Sequence, residues 1–117
     1  MSAESRQAVF SALADPTRRE LLDRLRSSNG QSLAALARGL GMSRQAVTKH
    51  LHVLEEAGLV LAARRGRERV HFLNPVPIQA VALRWLGEFG AVALGALAGL
   101  EAADASVPRA RGSTGSP

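Results

Sequence analysis

The chain has 117 residues, enough for one domain with a modest core and too few for two ordinary ones. It holds three Phe, one Trp, no Tyr and no Cys. A core of Leu, Val and Ala in packed helices is therefore expected, while disulfides, thiolate metal sites and cysteine nucleophiles are excluded. Fifteen Lys and Arg against ten Asp and Glu leave a net charge of +5.

The excess sits between Arg38 and Leu73, where seven cations stand against three acids, a balance suited to an anionic partner. The first ten residues lack a basic start followed by an apolar run, and the longest uncharged apolar stretch, 89–100, is too short to span a bilayer. A cytoplasmic chain with no membrane partner is expected.

Residues 5–14 carry Val9, Phe10 and Leu13 at helical spacing, and the Asp15-Pro16 step stops this helix near Ala14. Asp15 caps a second helix with Pro16 at its first position. Leu21, Leu22 and Leu25 form its buried stripe, and Glu20 and Arg24 pair at i,i+4 outside. Ser28-Asn29-Gly30 ends it. Ser32 caps a short third helix with Leu33, Leu36 and Ala37 inward, closed by Gly39-Leu40-Gly41.

A tight glycine turn followed at once by Ser43 as the next cap is the sequence form of a helix-turn-helix. In the helix that follows, Val47, Leu51 and Leu54 form the inward stripe and Gly58 the left-handed stop. Its outward residues are Gln45, Thr48, Lys49, His52, Glu55 and Glu56, with Arg44 at the start. Hydrogen-bond donors fill the first two turns and both acids lie in the last, an arrangement suited to holding the N-terminal end against phosphates and bases.

Residues 59–73 read as two strands around Arg65-Gly66-Arg67. Val70 and Phe72 alternate with Arg69 and His71, which predicts that the apolar pair faces inward and the polar pair outward. Arg64, Arg65, Arg67 and Arg69 at the tip would repel one another without an anion alongside. After the Asn74-Pro75-Val76-Pro77 breaker, a long helix carries Ile78, Val81, Trp85, Phe89, Val92, Ala96 and Leu100 in a stripe wider than one small core can cover, so part of it predicts a second copy of the chain. Gly87, Gly90, Gly95 and Gly99 each weaken a helix by about 1 kcal/mol relative to Ala. Two readings stay open: close approach of two backbones, or a helix that frays beyond Gly90.

The phrases ALADPTRRELLDRL, LGMSRQAVTKHLHVLEEAGLV and RRGRERVHFL, in this order, resemble the ArsR/SmtB family of bacterial transcriptional repressors over residues 5–100. The resemblance implies a mostly α (α+β) winged helix-turn-helix of four helices, a two-stranded wing and a long C-terminal dimerisation helix, spanning residues 1–104; residues 105–117, small, polar and proline-bearing, read from their composition as a disordered tail. It implies a homodimer whose interface draws on Val9, Phe10, Leu13, Val81, Trp85, Phe89, Val92 and Ala96. It implies double-stranded operator DNA as partner, bound at an inverted repeat and released by an unidentified inducer. The residues that would meet DNA are Ser43, Arg44, Gln45, Thr48, Lys49 and His52 on the helix and Arg64, Arg65, Arg67 and Arg69 on the wing.

Family members that sense metal do so through a cysteine pair near the recognition helix or through Asp and His on the last helix. Here the first stretch is SLAALARGL, and residues 77–100 hold no His and one carboxylate, Glu88. The resemblance is therefore to the metal-independent branch, with no cofactor or metal. His50, beside the buried stripe, is expected to be structural and bonded to backbone. The alternative to a DNA regulator is a winged helix used for protein association, its basic face meeting an acidic partner. An enzyme is not expected: Glu55 and Glu56 are adjacent and point different ways, and no phosphate loop or nucleophile-base pair is visible.

Overall fold

A computed structural model of the chain describes the backbone of residues 1–103 and the side chains of residues 1–89 and 99. The expected tail and the interface positions Val92 and Ala96 lie outside the described residues. The elements run α1 (Ala3–Leu13), α2 (Pro16–Ser27), β1 (Gln31–Ser32), α3 (Leu33–Ala37), α4 (Arg44–Glu56), β2 (Val60–Arg65), β3 (Glu68–Leu73) and α5 (Val76–Ala103). The chain divides into two compact units, Met1–Ala82 and a second beginning at Leu83.

Helix starts in the first unit follow the expected caps. The Asp15 carboxylate accepts from Arg18 N at 3.0 Å with Pro16 opening α2, and the Ser32 and Ser43 hydroxyls accept from Ala35 N and Ala46 N at 3.2 and 3.1 Å. Each satisfies an amide that a helix start leaves without an intrahelical acceptor. Leu21, Leu25, Leu36, Val47, Leu54 and Leu59 are fully enclosed and form the centre of the core. Gly58, at φ +79°, turns the chain out of α4 into β2.

The sheet has three antiparallel strands in the order β1-β3-β2, where a two-stranded wing was expected. Gln31 and Ser32 pair with His71 and Val70. The added strand follows from the turn after α2. Gly30 at φ +78° donates its amide to His71 O at 3.0 Å, and the Asn29 side-chain oxygen accepts from Leu73 N at 2.8 Å, so the chain leaving α2 lies against β3. A side chain at Gly30 would stand 3.0 Å from the Phe72 ring, so both space and backbone require glycine there.

Three positions expected at a subunit interface are held inside one protomer. Val9 and Val81 are buried in the core and Leu13 packs against it. The apolar stripe of α1 is satisfied largely by α2 and α4, so only Phe10 of that group remains exposed, at 38%. In the second unit, Trp85 and Phe89 pack edge to face at 5.6 Å between centroids, and Arg84 pairs with Glu88 at 3.1 Å. Among the described residues no helix is long and apolar enough to cross a membrane.

Two outcomes follow. Leu54→Ala removes a fully enclosed side chain and should cost about 2–5 kcal/mol, read as a lower urea midpoint at unchanged m-value. The amide of Arg18 holds the Asp15 carboxyl below its ordinary value of 3.8, against the opposing effect of burial. A lowered native pKa stabilises the fold fully above the unfolded value, and that contribution disappears as pH falls through the native one. The Tm gap between the native chain and Asp15→Ala should therefore be widest at neutral pH and close as the pH drops below 3.8.

Candidate nucleic-acid interface

Helix α4 has one way to sit. Val47, Leu51 and Leu54 are buried, so the opposite arc must face out, and Arg44, Gln45, Thr48 and Lys49 are exposed there. Among the described residues none of these four side chains makes a hydrogen bond or ion pair. They form a patch of two cations and two hydrogen-bonding groups over the first two turns. Ser43 serves first as the cap that starts the helix. His52, one turn later, pairs along the helix with Glu56 at 3.3 Å.

The wing stands beside this face. Its β2-β3 register sets Val60 opposite Leu73, Ala62 opposite His71 and Arg64 opposite Arg69. Leu73 packs against the core, and side chains alternate along a strand, so His71 and Arg69 must share the side that Leu73 takes. The expected alternation holds for Val70, 4% exposed, and for Arg69, which is exposed, and fails at His71, so β3 is buried on both faces at its centre. His71 is 4% exposed where it was expected on the polar face, and the Phe72 ring packs instead beneath the Arg65 guanidinium at 5.7 Å.

The polar pair is tolerated on the helix-facing side because the last turn of α4 presents a carboxylate to it. Arg69 Nη2 donates to Glu55 Oε1 at 2.8 Å, and Glu55 Oε2 lies 3.8 Å from His71 Nε2. His71 Nδ1 faces Gln31 O at 3.1 Å, and since a carbonyl only accepts, that nitrogen carries the hydrogen. Glu55, expected to point outward, is thus only 24% exposed.

The four wing arginines consequently differ. Arg69 is engaged by Glu55. Arg65 covers Phe72 and lies opposite Glu68 in register. Arg64 and Arg67 are exposed, with no ion pair among the described residues. A groove of about 510 Å³ opens between α3, α4 and β3, with Arg44, Thr48 and His52 on one wall and Glu68 and Arg69 on the other. Its lining sets Arg44 and Arg69 against Glu55 and Glu68, so the groove is formally balanced; with Arg69 paired to Glu55, Arg44 at the start of α4 is the lining cation left to meet an anion.

His50 also differs from expectation. It bonds to side chains rather than backbone: Arg18 Nη1 approaches its Nδ1 at 3.3 Å and Asp15 Oδ2 stands at 3.8 Å. A guanidinium only donates, so Nδ1 accepts. Arg18 also donates to Ala12 O and Ser11 O at 2.9 Å each, closing the end of α1. One arginine thereby fastens the α1-α2 corner to the middle of α4. Sequence spacing gave no sign of this contact across 32 positions.

A metal site of either expected kind does not fit the residues present. The chain has no cysteine, and Glu88, the sole carboxylate in 77–100, is engaged by Arg84.

Residues 13–61 match the family described as a helix-turn-helix domain. An uncharacterised HTH-type transcriptional regulator of Bacillus subtilis, YuzN, is 40% identical over 88 residues, covering 70% of this chain and 96% of the relative. The solved structure of an ArsR-like transcriptional regulator from Rhodococcus sp. RHA1 is 36% identical, covers 89% of this chain and 96% of its own, and superposes with a TM-score of 0.70. The homodimeric winged helix-turn-helix DNA-binding domain of a possible ArsR-family regulator from Mycobacterium bovis is 25% identical, with coverage of 74% and 82% and a TM-score of 0.60.

If Ser43 acts chiefly as the cap of α4, Ser43→Ala should cost about 1 kcal/mol of stability and Ser43→Asp should recover most of it, as measured by urea unfolding.

Proposed function

Since the chain belongs to the ArsR family of helix-turn-helix transcriptional regulators, a family of regulators rather than enzymes, we propose that it is a cytoplasmic, sequence-specific repressor. It acts as a homodimer on an inverted-repeat operator and is released by a signal other than a metal ion. The observation that carries the reading is the partner-less exposed set Arg44, Gln45, Thr48 and Lys49 at the start of α4, flanked by Arg64 and Arg67 on the wing.

Arg and Gln match guanine and adenine edges in the major groove, while Lys49 and the wing arginines suit phosphates. Ser43 and His52 border this set, one as a cap and the other held by Glu56, and Arg65 is partly engaged by Phe72. They are assigned to the rim of the contact.

The homodimer is supported by the Mycobacterium bovis neighbour and by Leu83, Trp85, Leu86 and Phe89 in the second unit, all more than half exposed. Four large apolar side chains within seven residues of one helix are costly to leave in water. Leu83 and Leu86 join Phe10, Trp85 and Phe89 as the proposed interface. Repression follows from occlusion: a two-fold dimer seats its recognition helices in major grooves about 34 Å apart, over one turn of the duplex, and covers a promoter placed there. Release requires a signal that prefers the dimer geometry that does not fit DNA.

Selection from a random duplex pool should recover a palindrome with half-sites spaced by one helical turn. Three phosphate-facing cations per subunit (Lys49, Arg64 and Arg67) neutralise about six phosphates per dimer, so the log-log slope of affinity against salt should be about −5. Arg44→Ala with Lys49→Ala should weaken operator binding by at least a hundredfold, on the basis of about 1–3 kcal/mol for each good base or phosphate contact. Recovery of no sequence together with unchanged affinity in that double variant would instead establish the protein-association reading.

A further inference from the structure

Glu55 is an anomaly on a surface built for DNA. It lies in the groove between the recognition helix and the wing, where a polyanion would repel a carboxylate that no cation neutralises. Its two oxygens are already directed at the wing, one accepting from Arg69 at 2.8 Å and the other 3.8 Å from the buried His71. His71 continues the chain to Gln31 O of β1. One carboxylate thus ties the end of α4 to β3 through Arg69 and lies beside the ring by which β3 reaches β1.

The register gives the pairing a second consequence. Arg64 stands directly opposite Arg69 across the β2-β3 ladder, on the same face. Like charges opposite each other in a sheet repel. With Arg69 drawn to Glu55, one of the two charges is neutralised, and Arg64 can extend from the wing without a second uncompensated cation beside it.

We propose that Glu55 and Arg69 form a positioning pair that fixes the wing against the recognition helix and withholds Arg69 from phosphate, making Glu55 a specificity determinant for DNA. The inference rests on the DNA-binding reading above. Held this way, the wing presents Arg64 and Arg67 at a set distance from Arg44 and Lys49, so its phosphate contacts form together with base contacts. Released, Arg69 becomes a mobile cation that binds any duplex. Glu55→Gln keeps the size of the side chain and an acceptor for Arg69 but removes the charge that retains it.

The test measures binding of the full chain to the selected operator and to a random-sequence duplex across a salt series, for the wild type, Glu55→Gln, Arg69→Ala and the double variant, with melting curves on each. Glu55→Gln should bind the random duplex several-fold more tightly, lower the operator-to-random ratio, and steepen the salt slope by about 2, one more phosphate per subunit. Arg69→Ala should keep the wild-type slope, and the double variant should return to it.

A slope that flattens by about 2 in Arg69→Ala alone shows that Arg69 already contacts phosphate and overturns the proposal. So does a folded Glu55→Gln whose slope is unchanged and whose preference shifts at one base pair, which would mean that Glu55 reads a cytosine amine directly. Should Glu55→Gln fail to fold, the Arg69→Ala slope still decides. A wild type whose affinity ignores salt removes the DNA reading and this proposal together, whereas a wild-type slope of about −5 with a flattened Arg69→Ala removes this proposal alone.

Discussion

Burial of Val47, Leu51 and Leu54 is the constraint from which the rest of the molecule's chemistry follows. Three apolar side chains at helical spacing allow α4 one rotation about its axis, and that rotation alone sends Arg44, Gln45, Thr48 and Lys49 to solvent. Fully burying side chains of this size favours the seated helix by about 1.5–3 kcal/mol each. No surface ion pair, worth about 1 kcal/mol or less, could re-aim it. The exposed set is therefore held by the core rather than by contacts of its own. That suits a surface whose donors must remain available to another molecule.

Polar contacts tune what the core has set, and they do so at two points along the same helix. At its middle, Arg18 closes the end of α1 with two bonds and reaches His50 with a third, so the α1-α2 corner and α4 cannot shift relative to each other without losing that third contact. At its last turn, Glu55 engages Arg69 and approaches His71. The acids gathered at that end thus have a structural task in addition to being distant from the base-facing turns. A guanidinium satisfied by two backbone carbonyls and one ring nitrogen has few donors left for water, so the corner it closes is well determined.

Much of this was legible in the chain because the signals were local. Caps, glycine stops and a 3.6-residue period are written within a few positions of where they act, and Asp15, Ser32, Ser43 and Gly58 all function as the sequence implied. What escaped depends on distant partners. The two-residue strand β1 has no period of its own and exists because Asn29 and Gly30 bond to β3. The alternation of Val70 and Phe72 against Arg69 and His71 read Val70 and Arg69 correctly but missed the burial of His71, which follows from Leu73 joining the core on the same face and from Gln31 and Glu55 lying against the ring. Val9, Leu13 and Val81 were recognisable as apolar and destined for burial, but spacing cannot say whether a protomer's own core or a second copy covers them. Within one protomer the core encloses Val9 and Val81 and covers Leu13 in part.

The same distinction governs how charge should be read in a chain like this. Seven cations between residues 38 and 73 mark an anion-binding region, yet formal charge overstates the contacts such a region can make. Arg69 is neutralised by a carboxylate 14 positions away, and Arg65 is drawn over an aromatic ring. Their loss from the contact set is the condition for using the others well. Four arginines at one hairpin tip, all mobile, would bind any phosphate backbone with little dependence on where the recognition helix lay. Two partnered and two unpartnered, all four exposed, give a wing tied to the last turn of α4 through Arg69. On the proposed reading, that geometry limits nonspecific attraction through the very contact that joins the helix to the wing, and leaves discrimination between duplexes to the first two turns of α4.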